Sequence, residues 1–184
     1  MAMRRGLPAV ALWSVIGAAH ATGDPLGWHY SPSAQVTPDN VTQLDVAWTH
    51  RNGDMAAAKG QPSSVSAQST PILLPREAGE HLVYCTPFNR VIALDPQNGR
   101  QRWVHDPRVP RNSQRPYRCR GVAYARLPQP DAQGACQHRL YTATADRRLI
   151  ALDARNGKRG AGFRNGGEVL TCRPSPCMRP FRSG

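Results

Sequence analysis

A chain of 184 residues with 40% apolar side chains is long enough for one domain with a real core. Its 16 Gly and 17 Pro, without long helical periodicity, exclude a helix bundle and favour a turn-rich all-β protein. The net charge of +12 would suit an anionic partner. The basic residues are scattered, however, with neither an aromatic-interleaved RNA-binding signature nor Cys/His finger spacing. No nucleic-acid partner is expected, and the charge reads as a solvated basic surface.

The first segment, MAMRRGLPAVALWSVIGAAHA, has Arg4 and Arg5, an apolar run from Leu7 to Ala19, and Ala19-His20-Ala21. This predicts an export signal peptide over residues 1–21, cleaved after Ala21, and a periplasmic destination. The run falls short of the roughly 20 residues that a membrane-spanning helix needs. An uncleaved anchor or a buried first segment is the alternative. Export implies an oxidising compartment, where five cysteines leave one unpaired if the others all pair: Cys85, Cys119, Cys136, Cys172 and Cys177. Cys119 with Cys136 is one candidate disulfide. Spacing does not set connectivity, and a free buried thiol is equally admissible at each position.

Further along, Leu44 to His50 (LDVAWTH) alternates and predicts a strand, with a turn at Asn52-Gly53. Residues 54–67 read as an exposed loop with a helical turn at MAAAK. STPILL, HLVYCT, RVIALD and RQRWVHD then predict a four-stranded antiparallel meander, since their apolar residues are β-branched or aromatic and their gaps are short and turn-rich. The pattern restarts with YRCRGVAYARL, HRLYTAT, RLIALD and KRGAGF. NRVIALDPQNGRQRW thus recurs as DRRLIALDARNGKRG because each copy supplies the third strand, the turn and the fourth strand of a repeated sheet. In both copies the small Ala (Ala93, Ala151) lets sheets approach, and the Asp (Asp95, Asp153) can bond turn amides. Asn-Gly (Asn98-Gly99, Asn156-Gly157) accepts positive φ, and Trp103 can lie over the neighbouring sheet. Units that cannot bury their own faces must stack, which predicts blades of a β-propeller rather than an isolated double hairpin or a small sandwich.

At ALDPQNGRQRW the chain resembles the tryptophan-docking motif of the quinoprotein dehydrogenases, eight-bladed propellers that use pyrroloquinoline quinone (PQQ). YSPSAQVTPDNVTQLDVAWTHRNGD, STPILL, VYCTPFNRVIALDPQNG, CRGVAYA and TATADRRLIALDARNGK follow in that family's order. They look most like the membrane-bound glucose, quinate and shikimate branch. The resemblance implies an all-β chain with about two antiparallel four-stranded blades of the eight, over residues 22–169. Residues 170–184 form an irregular, Arg-, Pro- and Cys-rich tail that reads like translation in a wrong frame.

The resemblance also suggests site residues. Arg120 in CRGV matches the arginine that contacts the quinone oxygens, and a guanidinium suits such groups. Thr144 in TATAD matches a threonine whose hydroxyl binds a cofactor carboxylate. Gln68 stands where the family usually carries Glu, so it brings an amide without charge. Ala125 stands where glucose-type members often carry His, which favours a quinate-like polyol acid over glucose. The second motif has Ala161 near the place of the docking Trp. Later blades of the family supply the calcium ligands and the catalytic Asp, and no such residue is assignable here.

The function implied is that of an N-terminal fragment of a PQQ-dependent dehydrogenase oxidising sugar or polyol hydroxyls. Electrons would pass to membrane ubiquinone, and the chain could associate peripherally with the membrane. No activity is expected of the chain alone. The alternative is a non-enzymatic propeller scaffold or binding module of the cell envelope. Such a module needs the docking motif but has no use for an arginine aimed at a central funnel.

Overall fold

A computed structural model of the chain describes residues 34–58, 65–111, 116–129, 136–160 and 162–171. The expected signal peptide at 1–21, Ala161, Cys172, Cys177 and the tail beyond Thr171 lie outside the described residues. The Asn52-Gly53 turn leads into one helical turn, α1 (Asp54–Ala57). Ten strands follow among the described residues: β1 Val65–Ala67, β2 Ile72–Leu73, β3 Leu82–Cys85, β4 Val91–Leu94, β5 Gln101–His105, β6 Tyr117–Cys119, β7 Ala123–Arg126, β8 His138–Ala143, β9 Arg148–Asp153 and β10 Glu168–Leu170.

They form two four-stranded antiparallel sheets, β2-β3-β4-β5 and β7-β8-β9-β10, each in sequence order. The first is the predicted meander, and the second keeps the predicted middle strands but differs in its two outer ones. One face of the first sheet carries Val83, Cys85, Val91 and Ala93, which cluster with Leu140, Ile150 and Leu152 of the second. All seven are at most 2% exposed. Each large apolar side chain so buried contributes about 1.5–3 kcal/mol, and this layer is what holds the sheets face to face.

The repeated turn works as its residue types predict. Asp95 accepts from the Gln97 N–H and Asp153 from the Arg155 N–H, both at 2.8 Å. Gly99 and Gly157 both adopt φ +70°, where a Cβ would be strained. Any Cβ on Gly157 would also collide with the Trp103 ring, and one on Gly99 with the Trp48 ring. Each Trp therefore lies on the turn glycine of the next unit. Trp48 also donates its indole N–H to the Pro96 carbonyl at 3.1 Å. A second staple repeats with the turn. Arg90, leading β4, donates to the Asn52 carbonyl and pairs with Asp54. Arg148, leading β9, donates to the Pro107 carbonyl at 2.7 Å and pairs with Asp146 and Glu168.

Several expectations are corrected. Leu44–His50 forms no ladder among the described residues. Extended chain becomes sheet only beside another strand, and here Leu44 and Val46 stay 61% and 83% exposed. YRCRGVAYARL is two strands broken at Arg120-Gly121-Val122, with β6 pairing in parallel with β1. The expected loop at 54–67 accordingly contains a strand. The fourth strand of the second sheet is Glu168–Leu170 rather than KRGAGF. After one bridge between Leu152 and Arg159 the chain leaves the sheet, then rejoins it with Glu168 opposite Ile150. Gly160 and the Gly166-Gly167 pair, at φ +64° and +93°, make that detour sterically cheap. β10 includes Leu170, the first residue of the expected tail. Finally, Cys119 bonds to Cys85 rather than to Cys136, which is buried beside Gly160. Tertiary packing sets a Cα–Cα distance of 5.9 Å for residues 34 apart in sequence.

Candidate cofactor site

The candidate residues sit around one tight hairpin, Thr86–Arg90, which joins β3 to β4. Thr86 N–H donates to the Arg90 carbonyl and Asn89 N–H to the Thr86 carbonyl, both at 2.8 Å. Asn89 has φ +63°, which Asn tolerates better than most side chains. Phe88 N–H donates to the buried Asp54 carboxylate at 2.8 Å, which ties the hairpin to α1. The Phe88 ring packs edge-on against Tyr117 with centroids 5.2 Å apart, and Val65 and Val109 complete a small apolar cluster. That cluster supports the β1–β6 ladder from beneath.

The ladder brings the segments of two of the three predicted residues together. Its last register pair is Ala67 with Cys119, and Gln68 and Arg120 are the next residues on the two strands. The Arg120 segment is fixed by the Cys85–Cys119 disulfide and by the Thr70 N–H, which donates to the Arg120 carbonyl at 3.3 Å. Both side chains are exposed. Among the described residues no hydrogen-bond or ion-pair partner engages the Arg120 guanidinium or the Gln68 amide. Space beyond Gly121 is open, with nothing closer than 4.0 Å to a Cβ built there.

Thr144 begins the corresponding hairpin of the second sheet, between β8 and β9. Its side chain is 7% exposed. Its hydroxyl donates to Asp146 and accepts from the Arg148 N–H at 3.1 Å. Burial would raise the Asp146 carboxyl, but hydrogen bonds from Arg148 and Thr144 hold it below the usual carboxylate range. Thr144 is thus engaged within its own turn, unlike Gln68 and Arg120.

Sequence reasoning missed Asn89, which is 1% exposed. Its Oδ1 accepts from the Ala145 N–H at 2.9 Å, and its Nδ2 donates to the Arg118 carbonyl at 3.4 Å. One amide therefore links the Arg120 strand to the Thr144 turn. The only signal in the sequence was an Asn at the tip of a predicted hairpin, which turn chemistry alone accounts for.

The family described as the β-propeller domain of glucose/ethanol/alcohol dehydrogenases, PQQ, matches residues 19–175. The chain belongs to this PQQ dehydrogenase family. It is 36% identical to the quinoprotein glucose dehydrogenase of Escherichia coli (strain K12) over 84% of its own length and 19% of that protein's. It is 33% identical to the quinate/shikimate dehydrogenase (quinone) of Acinetobacter baylyi over 82% of its length and 19% of that protein's. Among solved structures, the quinohemoprotein alcohol dehydrogenase ADHIIG from Pseudomonas putida HK5 matches with a TM-score of 0.54 and 25% identity. That match covers 79% of this chain and 18% of the other. The chain therefore spans about a fifth of the length of the PQQ dehydrogenases it matches. The face-to-face sheets are those of a PQQ-type propeller, and the family is PQQ-dependent. No helix of the described residues is long and apolar enough to cross a membrane.

Proposed function

We propose that this chain forms part of the cofactor rim of a PQQ-dependent dehydrogenase oxidising sugar or polyol hydroxyls of the glucose, quinate or shikimate type. The observation that carries the reading is Arg120. In a chain matched by the PQQ family it stands exposed, next to a disulfide and the end of a ladder, with a guanidinium that no other described residue engages. Such a group fits a ligand rich in carboxylates and carbonyl oxygens, because a guanidinium offers a planar fork of donors. Gln68 lies next to it and adds neutral hydrogen bonds. Thr144 contributes a hydroxyl only by sharing it with Asp146.

When bound, PQQ supplies the electron-accepting quinone of the family's chemistry. The residues of this chain bind and orient it. Calcium ligands and the catalytic base are expected from further sheets of a longer protein, so this chain alone oxidises no substrate. The periplasm, a cleaved signal at 1–21, peripheral membrane association and electron delivery to membrane ubiquinone complete the proposal.

Isothermal titration of the purified chain with PQQ, with and without calcium, tests it. Saturable binding that is lost in Arg120→Ala supports the rim. A folded chain that shows no binding, or binding unchanged in Arg120→Ala, overturns it and favours an envelope scaffold.

A further inference from the structure

We infer that Asn89 is a positioning residue: its buried amide sets the spacing between the Arg120 strand and the Thr144 turn. The inference rests on the rim reading for its functional consequence, but its structural part stands alone. The molecule contains its own control. The hairpin Thr86–Arg90 is rebuilt at Thr144–Arg148, with matching main-chain bonds of 2.8–2.9 Å. The residue equivalent to Asn89 is Arg147, at φ +69° against +63°. Arg147 is exposed, whereas Asn89 is buried. The turn therefore needs a residue that accepts positive φ, but it does not need Asn. Something else requires an amide at this place.

The hydrogen bonds supply that requirement. A buried amide is unfavourable unless its donor and acceptor are both used. Asn89 uses its acceptor on Ala145 N–H, next to Thr144, and its donor on the Arg118 carbonyl, two residues before Arg120. Ala145 is itself exposed, so its amide owes its protection to this one bond. The bridge thus crosses from the first sheet to the second at the end of the molecule where the cofactor residues stand. The disulfide fixes Cys119 to the first sheet only. That strand runs on into β7 and shares the apolar cluster, and Asn89 adds to these a direct hydrogen-bonded link to the second sheet's turn.

The test compares three full-length chains: wild type, Asn89→Gly and Arg147→Gly. Both substitutions keep positive φ, and only the first removes the bridge. Residue-resolved hydrogen exchange is read first. In Asn89→Gly, the Ala145 amide and the amides of Tyr117–Gly121 are expected to exchange faster by about tenfold. In Arg147→Gly they should keep wild-type rates. Faster exchange confined to Thr86–Arg90, or the same change in both variants, overturns the inference. PQQ affinity is read second. An approximately tenfold loss in Asn89→Gly alone supports positioning, and unchanged affinity against a binding wild type overturns it. If the wild type binds no PQQ, the rim reading fails, and the exchange rates alone still decide the bridge.

Discussion

β5 follows the Asp95–Gly99 turn and stays paired to His105 through one bulge at Arg102, whereas the chain after Gly157 makes one bridge at Arg159 and returns to its sheet only at Glu168. Both sheets start from the same turn geometry, so the turn does not decide the course of the chain beyond it. The residues after the glycine do. In the first sheet the fourth strand continues and carries Trp103 onto Gly157 of the second sheet. In the second, the detour carries Phe163 back onto Tyr141 of its own sheet, with ring centroids 5.6 Å apart. A local turn signal therefore fixes a hairpin, while the packing of one large aromatic decides which neighbour the hairpin serves.

The largest test of this contrast is the covalent one. The Cys85–Cys119 bond closes a loop of 34 residues between the first sheet and β6. Reduction, or Cys119→Ser, should cost about 3–4 kcal/mol, read as a lowered midpoint in urea unfolding. The Gly160–Gly167 detour shows no such link among the described residues, so Gly160→Ala, which presses a methyl against the Cys136 sulfur, should cost less than half as much. An equal loss would break the asymmetry between the regions.

Next comes the docking tryptophan. Trp103→Ala removes the ring that stands between the sheets and should cost about 3 kcal/mol. Trp48→Ala should cost less, because its segment has no ladder among the described residues. Thermal melting that ranks them the other way would mean that the N-terminal segment carries more of the fold than the sheet interface.

A smaller effect separates the glycines. Gly157→Ala meets both the positive-φ penalty and the Trp103 ring, and should cost about 2–3 kcal/mol. Gly166→Ala has φ +64° and open space around it, so only the backbone penalty of roughly 1–2 kcal/mol applies.

The smallest effect is a pH dependence. Burial, aided by Arg159, pushes the His105 imidazole below its ordinary value, and burial with Arg155 and Arg126 does the same to His138. Both imidazoles protonate first in the unfolded chain. Their contribution is therefore complete above about pH 6.5 and declines as the pH falls below it. Melting temperatures at pH 7.5 and 5.5 check this, and His105→Gln should flatten part of the slope.

Local chemistry made the two meanders legible. β-branched runs, Asp-to-amide bonds and Asn-Gly turns act within a few residues, so the first sheet, the β8–β9 hairpin and the repeat followed from the sequence, whereas LDVAWTH and KRGAGF did not become strands. Gln68 and Arg120 were proposed from the motif alone, and the ladder brings their segments together, ending one residue before each. Tertiary structure alone decided the Cys85–Cys119 pairing, the parallel β1–β6 ladder, the displaced fourth strand and the bridge from Asn89. Each depends on groups distant in sequence reaching within a few ångströms of one another. Which distant groups meet is set by how two apolar sheet faces stack, and no spacing along the chain encodes that directly.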